Sequence, residues 1–452
     1  MSLTGDKAAT NRPLVTLSDI QDAHERIKPF VHRTPLLTSG TLDALATRAV
    51  GAPNVRVRLA FKSEHLQRVG AFKMRGATNA VRTHLAGAGA SGTLWVVTHS
   101  SGNHAAAVAC AARAVGARAA VVMPRTAPAI KKAAVADYGA RIVDCEPTQA
   151  AREAAADRLI QELRAQGHVV KFVHPYDDPL VIAGQGTLGL EMLEQAVTLG
   201  PRGAHESELE DSVTLGARGA HESELVDSVT LGARGAHESE LVDSVTLGAR
   251  GAHESELEDS VTLGPRGAHE SESEDLVTLG PRGAHEPVLD IVVAPVGGGG
   301  MLSGVSAAVK GVDPRILVIG AEPEKADDAA RSFESGVLQP AVTPPRTICD
   351  GLLTALSPRT LAHLQAHVGD VLTASEGEIL AATRLVWERM KQLIEPSAAV
   401  GLAVVLNSPR FAQRVRRVAE QRGHGAVEVR VGVVWTGGNV ELASVVEAMK
   451  KE

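Results

Sequence analysis

The chain has 452 residues, 44% hydrophobic but only 2% aromatic, so aliphatic side chains must fill the core of one large or two medium domains. No apolar run approaches the roughly 18 residues of a membrane helix, we expect no secretory signal, and no basic stripe suggests nucleic-acid binding. Three widely spaced cysteines favour a reducing compartment over a disulfide framework or a zinc site, so we expect a cytoplasmic protein.

Strand-like runs of β-branched residues alternate with alanine-rich helical stretches along the chain. We predict strands in TLWVVTHS, AAVVMP, RIVDC, VVKFVHP, DIVVAPV, ILVIGAEP and VEVRVGVVW. We predict helices at 104–116, 127–139, 148–166, 301–311 and 382–394. This alternation indicates an α/β protein whose parallel sheets are covered by helices on both faces. Ligands of such sheets bind beyond the carboxyl ends of the strands.

Residues 197–286 hold five copies of a 16-residue unit, first seen as VTLGPRGAHESELEDS, and one partial copy. This segment contains six arginines and 19 acidic residues, so the net charge of −7 divides into −13 in this segment and +6 in the rest of the chain. Each unit carries Gly-Pro-Arg-Gly or Gly-Ala-Arg-Gly, which interrupts a helix, and few apolar side chains to bury. We expect a disordered acidic insert, with a metal-binding histidine array as the alternative.

Three features point to one cofactor. Lys73 lies between Phe72 and Met74, where a lysine either extends to water or serves as a reactive amine. Gly297–Gly300 lie between a strand and a helix, so their N–H groups suit a single phosphate, a flexible turn being the alternative. Thr436 follows the last strand and offers a hydroxyl to a ring nitrogen. Together they suggest pyridoxal phosphate (PLP) bound as a Schiff base.

Two further loops follow predicted strands. THSSGNH places small polar residues at a helix start, where they can cap the helix or hold a carboxylate. AEPEKADD offers oxygens to Mg²⁺ or Ca²⁺, a solvated acidic loop being the alternative. We expect both loops to converge with the glycine loop and the Thr436 loop on one cleft. The residues concerned are Ser100, Ser101, Asn103, Glu322, Ala326 (through its carbonyl) and Asp328.

The segment KSEHLQRVGAFKMRGA at 62–77 resembles the lysine motif of fold-type II PLP enzymes, which are tryptophan synthase β-like. RTPLLTS, VVTHSSGNH, VIAGQGT, VAPVGGGGMLSGV and GGNVEL extend the resemblance to the family of serine racemases and serine/threonine dehydratases. It implies a homodimer of two-domain subunits with twisted, mostly parallel sheets flanked by helices. The small domain would span 85–170, and the large one would hold 1–84 and 171–452 with the insert.

Site roles follow from the same resemblance. Lys73 would remove the α-proton of L-serine and Ser101 would reprotonate the other face to give D-serine, whereas loss of the β-hydroxyl would give pyruvate and ammonia. L-threonine would be a second substrate. PLP would contact Lys73, Phe72, Asn103, Gly297, Gly298, Gly299, Gly300 and Thr436. Ser100, His104 and Arg152 would approach the substrate carboxylate, and Glu322, Ala326 and Asp328 would bind Mg²⁺ or Ca²⁺. ATP, as an activator, would approach Ser39, Tyr138 and Asn439.

Some positions depart from the family pattern or leave alternatives open. Ala105 and Ala106 stand where racemases have Gly-Gln beside the nucleotide site, and Thr436 replaces a serine. Ser101 favours racemisation because typical dehydratases resemble SAGN there, without the hydroxyl. The first alternative is an L-threonine/L-serine dehydratase without significant racemisation. The second is a binding protein on an inactive scaffold that recruits partners through the acidic repeat.

Overall fold

The structure is a computed structural model that describes residues 13–87, 93–127, 129–200, 286–423 and 425–451. Within these ranges the strands form a six-stranded and a four-stranded sheet, and both sheets lie in the same compact unit of the chain. No helix in the described ranges is long and apolar enough to cross a membrane. Residues 201–285, almost the whole repeat, lie outside the described residues, so the predicted disorder of the insert stays a prediction.

The six-stranded sheet consists of β1 Leu36–Leu37, β2 Val55–Ser63, β7 Ile291–Pro295, β8 Leu317–Pro323, β9 Asp370–Ala374 and β10 Val427–Trp435. Its order is β1-β2-β10-β7-β8-β9, and every pair is parallel except β1 with β2. The four-stranded sheet is all parallel in the order β5-β4-β3-β6 and consists of β3 Leu94–His99, β4 Arg118–Pro124, β5 Arg141–Cys145 and β6 Val169–Phe172. The α/β, mostly parallel fold predicted from the sequence is confirmed.

The helices in chain order are α1 Leu17–Ile27, α2 Gly40–Val50, α3 Lys73–Ala86, α4 Asn103–Ala114, α5 Ala129–Asp137, α6 Gln149–Ala165, α7 Pro179–Ala196, α8 Gly300–Val312, α9 Asp328–Ser335, α10 Pro358–His367, α11 Glu376–Leu385, α12 Pro396–Asn407, α13 Pro409–Arg422 and α14 Leu442–Met449. The predicted insert begins where α7 ends, and β7 follows it. The division into domains at residues 85 and 170 stays a prediction.

Helices cover both faces of the larger sheet, because successive residues of its inner strands point to opposite sides. Ile291 and Val293 of β7 pack with α2, α11, α12 and α13, whereas Val292 and Ala294 pack with α1, α7, α8 and α10. Strands buried on both faces read as continuous apolar runs, which is why the sequence pattern identified them. The same edge of the sheet carries Gly297 and Thr436, each just beyond the carboxyl end of a strand, and Glu322, the second-last residue of β8.

One predicted helix is partly wrong. The segment 382–394 is α-helical only to Leu385, continues as a single π turn over Val386–Met390, and then stops. Lys391 adopts a left-handed conformation with φ of 58°, and the Trp387 indole N–H donates to the Ile394 carbonyl oxygen at 3.0 Å. The chain turns here because Ile394 is fully buried, and a continued helix would not deliver it to the core.

Candidate active site

Lys73 is the first residue of α3, and its amine is held inside the site. Nζ donates to the Pro175 carbonyl oxygen at 2.8 Å and lies 5.0 Å from the centroid of the Phe72 ring. Burial lowers the pKa of Lys73 to about 8, and no carboxylate pairs with it in the part of the chain that the structure describes. These are the properties of a reactive amine rather than of a lysine that extends to water.

The loop before Lys73 is joined to the loop after β10. The Phe72 N–H donates to the Thr436 carbonyl oxygen at 3.0 Å, and the Gly438 N–H donates to the Gly70 carbonyl oxygen at 3.0 Å. Gly70 has a φ of 68°, and a Cβ there would lie 2.7 Å from the Asn439 side chain. Two of the predicted site segments therefore form one rigid unit.

Gly297–Gly300 connect β7 to α8. Gly299 is the N-cap of α8 with a φ of 82°, and no side chain caps this helix start, so its first N–H groups can face an anion. A Cβ on Gly298 would lie 2.5 Å from the ring of Tyr176, and one on Gly300 would lie 2.8 Å from the Tyr176 backbone. The glycines thus also allow Tyr176 to pack against the loop, a contact that no sequence motif indicated.

Thr436 contributes a buried hydroxyl. The residue is 3% exposed, and among the described residues its Oγ1 atom has no hydrogen-bond partner. Leaving such a group unsatisfied costs about 1–3 kcal/mol, so a ligand atom is the natural partner. A pyridine ring nitrogen, the contact predicted from the sequence, meets this requirement.

The start of α4 carries the predicted substrate-facing residues. Gly102 is the N-cap and no side chain caps the helix, so the capping alternative is wrong here. Ser100 Oγ accepts from the Gly102 N–H at 3.3 Å, and within the described ranges Ser101 Oγ makes no hydrogen bond. The Ala105 N–H donates to the Gly102 carbonyl oxygen at 3.0 Å, but no side chain caps the N–H groups before it, so they can bind a carboxylate.

Asn103 is oriented by two partners that lie far away in sequence. Its Nδ2 atom lies 3.3 Å from each carboxylate oxygen of Glu395, and its Oδ1 atom accepts from Asn439 Nδ2 at 2.9 Å. Burial, together with the charge of Asp350, raises the pKa of Glu395 to about 7. Sequence reasoning did not identify Glu395.

Two histidines lie near Lys73: His104, which is buried and was predicted, and His174, which is partly buried and was not. His104 is 2% exposed, its Nε2 lies 3.3 Å from the Val173 carbonyl oxygen, and its Nδ1 has no partner among the described residues. Burial and the charge of Lys73 hold the pKa of His104 well below 6.5. His174 Nδ1 accepts from the Asp177 N–H at 2.9 Å, and burial lowers the pKa of His174 to about 3. Both rings are therefore neutral.

Three arginines keep a buried Nε atom without a hydrogen-bond partner within the described residues: Arg152, which the sequence predicted, and Arg82 and Arg359, which it did not. The Arg359 side chain is 10% exposed, lies 3.5 Å from Asp177 Oδ1 and donates to the Asp177 carbonyl oxygen at 3.3 Å. Because Asp177 directly follows Tyr176, Arg359 borders the glycine loop.

The predicted metal-binding residues lie at the carboxyl end of β8, in the turn that follows it and at the start of α9. Glu322 accepts from the Ala329 and Ala330 N–H groups at 2.9 and 2.8 Å, and burial raises its pKa to about 9. Burial raises the pKa of Asp328 to about 6, and its Oδ2 atom has no partner among the described residues. Ala326 ends the short turn between them. No group of three or more His, Cys, Asp or Glu side chains suited to a metal occurs in the described ranges.

The three residues predicted to lie near a nucleotide have different positions and contacts in the structure. Ser39 caps α2 by accepting from the Leu42 N–H at 3.4 Å, and Asn439 joins Asn103 as described above. Tyr138 follows α5, and burial raises the pKa of its hydroxyl. No hydrogen bond links the three across the residues described.

Comparison with known proteins identifies the family. The model of a pyridoxal-phosphate dependent enzyme matches residues 27–201 and 253–419. The chain belongs to this family. Serine racemase of Homo sapiens is 34% identical over 437 residues, or 97% of this chain and 95% of the racemase. β-Hydroxyaspartate dehydratase of Paracoccus denitrificans is 36% identical over 428 residues, 94% of this chain and 97% of the dehydratase. The structure of maize serine racemase aligns with a TM-score of 0.67 at 30% identity, covering 97% of this chain and 98% of the racemase.

The chain is thus a PLP-dependent enzyme of fold-type II, and the inactive-scaffold alternative is set aside. The site fits this cofactor on three counts. The glycine loop leaves the α8 N-terminus open for a phosphate, Thr436 has an unsatisfied hydroxyl for the ring nitrogen, and Lys73 has an amine of lowered pKa. PLP supplies an electron sink that makes the α-proton of a bound amino acid removable.

Proposed function

We propose that the chain interconverts L- and D-serine and also eliminates water from serine to give aminoacrylate, which is then hydrolysed to pyruvate and ammonia. The supporting observation is the pair of proton-transfer groups at the starts of α3 and α4: an amine of lowered pKa on Lys73 and a hydroxyl without a partner on Ser101. Similarity to the human serine racemase supports the same reaction.

In this proposal Lys73 takes the α-proton from one face of the bound amino acid, and Ser101 delivers a proton to the other face. The α-carbon loses and regains one proton, so racemisation needs no other reactant. Phe72, Asn103, Gly297–Gly300 and Thr436 hold the cofactor. The N–H groups at the start of α4, with Ser100 and Arg152, hold the substrate carboxylate, while the neutral His104 can only share a hydrogen bond with the substrate.

Chiral amino-acid analysis with a parallel pyruvate assay tests the proposal, using the full chain, PLP and L-serine. We expect D-serine and pyruvate from the wild type, and pyruvate alone from Ser101→Ala. Ser100→Ala is the matched control, because a residue that only holds the carboxylate should weaken both products equally. Pyruvate without D-serine from the wild type would contradict the racemase proposal and leave a dehydratase.

A dehydratase of β-hydroxy amino acids is the second candidate, with L-threonine, L-serine or β-hydroxyaspartate as substrate. The 36% identity to β-hydroxyaspartate dehydratase favours it, and so does Arg359, whose buried Nε atom, like that of Arg152, has no hydrogen-bond partner among the described residues. A dicarboxylic substrate needs one cation for each carboxylate, and Arg152 and Arg359 offer two. Turnover of β-hydroxyaspartate faster than L-serine, lost selectively in Arg359→Met, would establish this candidate.

We further propose that Glu322, Asp328 and the Ala326 carbonyl bind Mg²⁺ or Ca²⁺ and that the chain forms a homodimer in the cytoplasm. The unsatisfied Asp328 Oδ2 supports the metal site. In a thermal-shift assay, Mg²⁺ or Ca²⁺ should raise the Tm of the wild type but not that of Asp328→Asn. ATP activation near Ser39, Tyr138 and Asn439 is tested by adding ATP to the serine assay.

A further inference from the structure

Four buried charged side chains lie between β2, α3 and α7, close to Lys73 but outside the cofactor site. We call Thr34, Lys62, Glu64, Arg75 and Glu191 the α3–α7 network. Arg75 forms a bidentate pair with Glu191, with two distances of 2.7 Å, and a second with Glu64, with two of 2.8 Å. None of the five residues is more than 2% exposed.

Every charge in the α3–α7 network is compensated. Lys62 Nζ donates to Glu191 Oε2 at 2.7 Å and to Gln195 Oε1 at 2.9 Å, and the Thr34 hydroxyl donates to Glu64 Oε1 at 2.6 Å. Burial alone would raise the pKa of Glu191, but the charges of Arg75 and Lys62 lower it to about 2. Two cations and two anions thus cancel, so the network exerts little field on Lys73.

Stability alone does not account for such a network. The desolvation of buried ions offsets most of their attraction, and apolar replacements of similar volume are often as stable. What buried ion pairs add is a defined geometry, and here they fix α3 against α7. The two helices touch at Gly76 and Gly184, where a Cβ on Gly184 would lie 2.7 Å from the Gly76 Cα atom. Arg75, two residues after Lys73, prevents α3 from sliding or rotating at this crossing.

We propose that the Arg75–Glu191 pair is a positioning device for Lys73, which keeps its amine at the Pro175 carbonyl and shielded from water. The inference rests on the proposed role of Lys73 as the proton-transferring amine. The segment before α7 provides Pro175, which accepts from the Lys73 amine, and α7 itself provides Glu191, which pairs with Arg75 two residues further along α3. A misplacement of about 1 Å at a reacting group can cost about 10²-fold in rate.

The test measures Lys73 directly. The full chain, freed of PLP, is labelled with an amine reagent across pH, and the Lys73 peptide is quantified by mass spectrometry. We expect a midpoint near 8 in the wild type and a higher midpoint in Glu191→Gln and Arg75→Lys, because a loosened α3 admits water to the amine. With PLP and L-serine, both variants should lose about 10- to 100-fold in kcat with KM little changed. Arg75→Lys keeps the charge but not the two-pronged geometry, so it separates position from charge.

Two more variants complete the design. Asp370 is another buried acid, and it pairs with Arg410 and Arg414 at the amino end of β9. As a control, Asp370→Asn breaks these pairs and should lower stability without moving the Lys73 midpoint. Thr34→Val removes one hydrogen bond from Glu64, so it should fold even if Glu191→Gln does not. It should raise the Lys73 midpoint by less than Glu191→Gln or Arg75→Lys. An unchanged midpoint in the folded network variants would overturn the proposal, and a lowered midpoint would replace it with a field effect. Labelling needs no turnover, so a failure of the racemase proposal remains distinguishable.

Discussion

Two groups of buried polar side chains border the start of α3, and they differ in how completely their hydrogen bonds are satisfied. In the α3–α7 network every nitrogen of Arg75 finds an acceptor. In the site, Thr436 Oγ1 and His104 Nδ1 have no partner among the described residues. Both groups carry the cost of burial, but only the first recovers it within the chain. Around the start of α3, the satisfied cluster therefore holds the helices together, and the unsatisfied atoms of the site are available to a ligand.

The largest effect on turnover should come from replacing Lys73, and the replacement of Lys62 provides the comparison. Lys73→Ala should reduce turnover by about 10⁴-fold and abolish the yellow absorbance of bound PLP, with little change in the free energy of unfolding, because Nζ has one hydrogen bond to a carbonyl. Lys62→Met should instead lower stability and keep the absorbance. Absorbance spectra and urea unfolding of both variants check this. Retained absorbance in Lys73→Ala would remove Lys73 from the site.

Breaking the satisfied cluster should produce the largest loss of stability. Arg75→Met leaves Glu64 and Glu191 buried without their main partner, and we expect a loss of about 3–5 kcal/mol in the free energy of unfolding. Arg384→Met removes an exposed pair with Glu388 and should cost less than about 1 kcal/mol. Urea titrations at fixed PLP measure both, and equal losses would contradict the contrast between the clusters.

The sequence predicted the parts of the site that are local in the chain. A glycine run between strand and helix, or a threonine after a strand, has a local chemical meaning, so Gly297–Gly300 and Thr436 could be identified. Tyr176, Glu395 and Arg359 could not, because each acquires its role from contacts that only the fold creates. Asn103 and Glu395 are 292 positions apart, and no periodicity links them.

The same distinction explains the outcome for the fold. Strands buried on both faces follow from apolar runs, and those predictions were confirmed. The end of the 382–394 helix depended on the left-handed Lys391 and the bond from Trp387 to Ile394, which the helical pattern of this segment does not reveal. Arg75 and Glu191 likewise look like ordinary surface charges in the sequence.

A pH titration sharpens the contrast at Glu395. Burial raises the pKa of Glu395 from 4.5 to about 7, so the folded protein holds this proton more tightly than the unfolded chain. Its contribution to stability is therefore greatest below pH 4.5 and declines as the pH rises towards 7, by up to roughly 3 kcal/mol. Glu395→Gln should remove this decline. Unfolding free energies of both proteins from pH 4 to 8 give the difference curve, and parallel curves would show that folding leaves the pKa of Glu395 near its ordinary value of 4.5.

The smallest effect is expected from two threonines that differ in whether their hydroxyl groups have hydrogen-bond partners. Thr436→Val removes a hydroxyl without a partner, so the cofactor-free protein should be as stable or more stable, while PLP affinity should fall about tenfold for the lost hydrogen bond. Thr187→Val removes a hydroxyl that donates to the Gly184 carbonyl oxygen at 2.7 Å and accepts from Arg75, so it should cost about 1 kcal/mol of stability and leave PLP affinity unchanged. PLP titration and urea unfolding of the pair measure both quantities. If both variants lost stability alike, Thr436 Oγ1 would have a partner in the cofactor-free protein, and its unsatisfied state would no longer indicate the ring nitrogen.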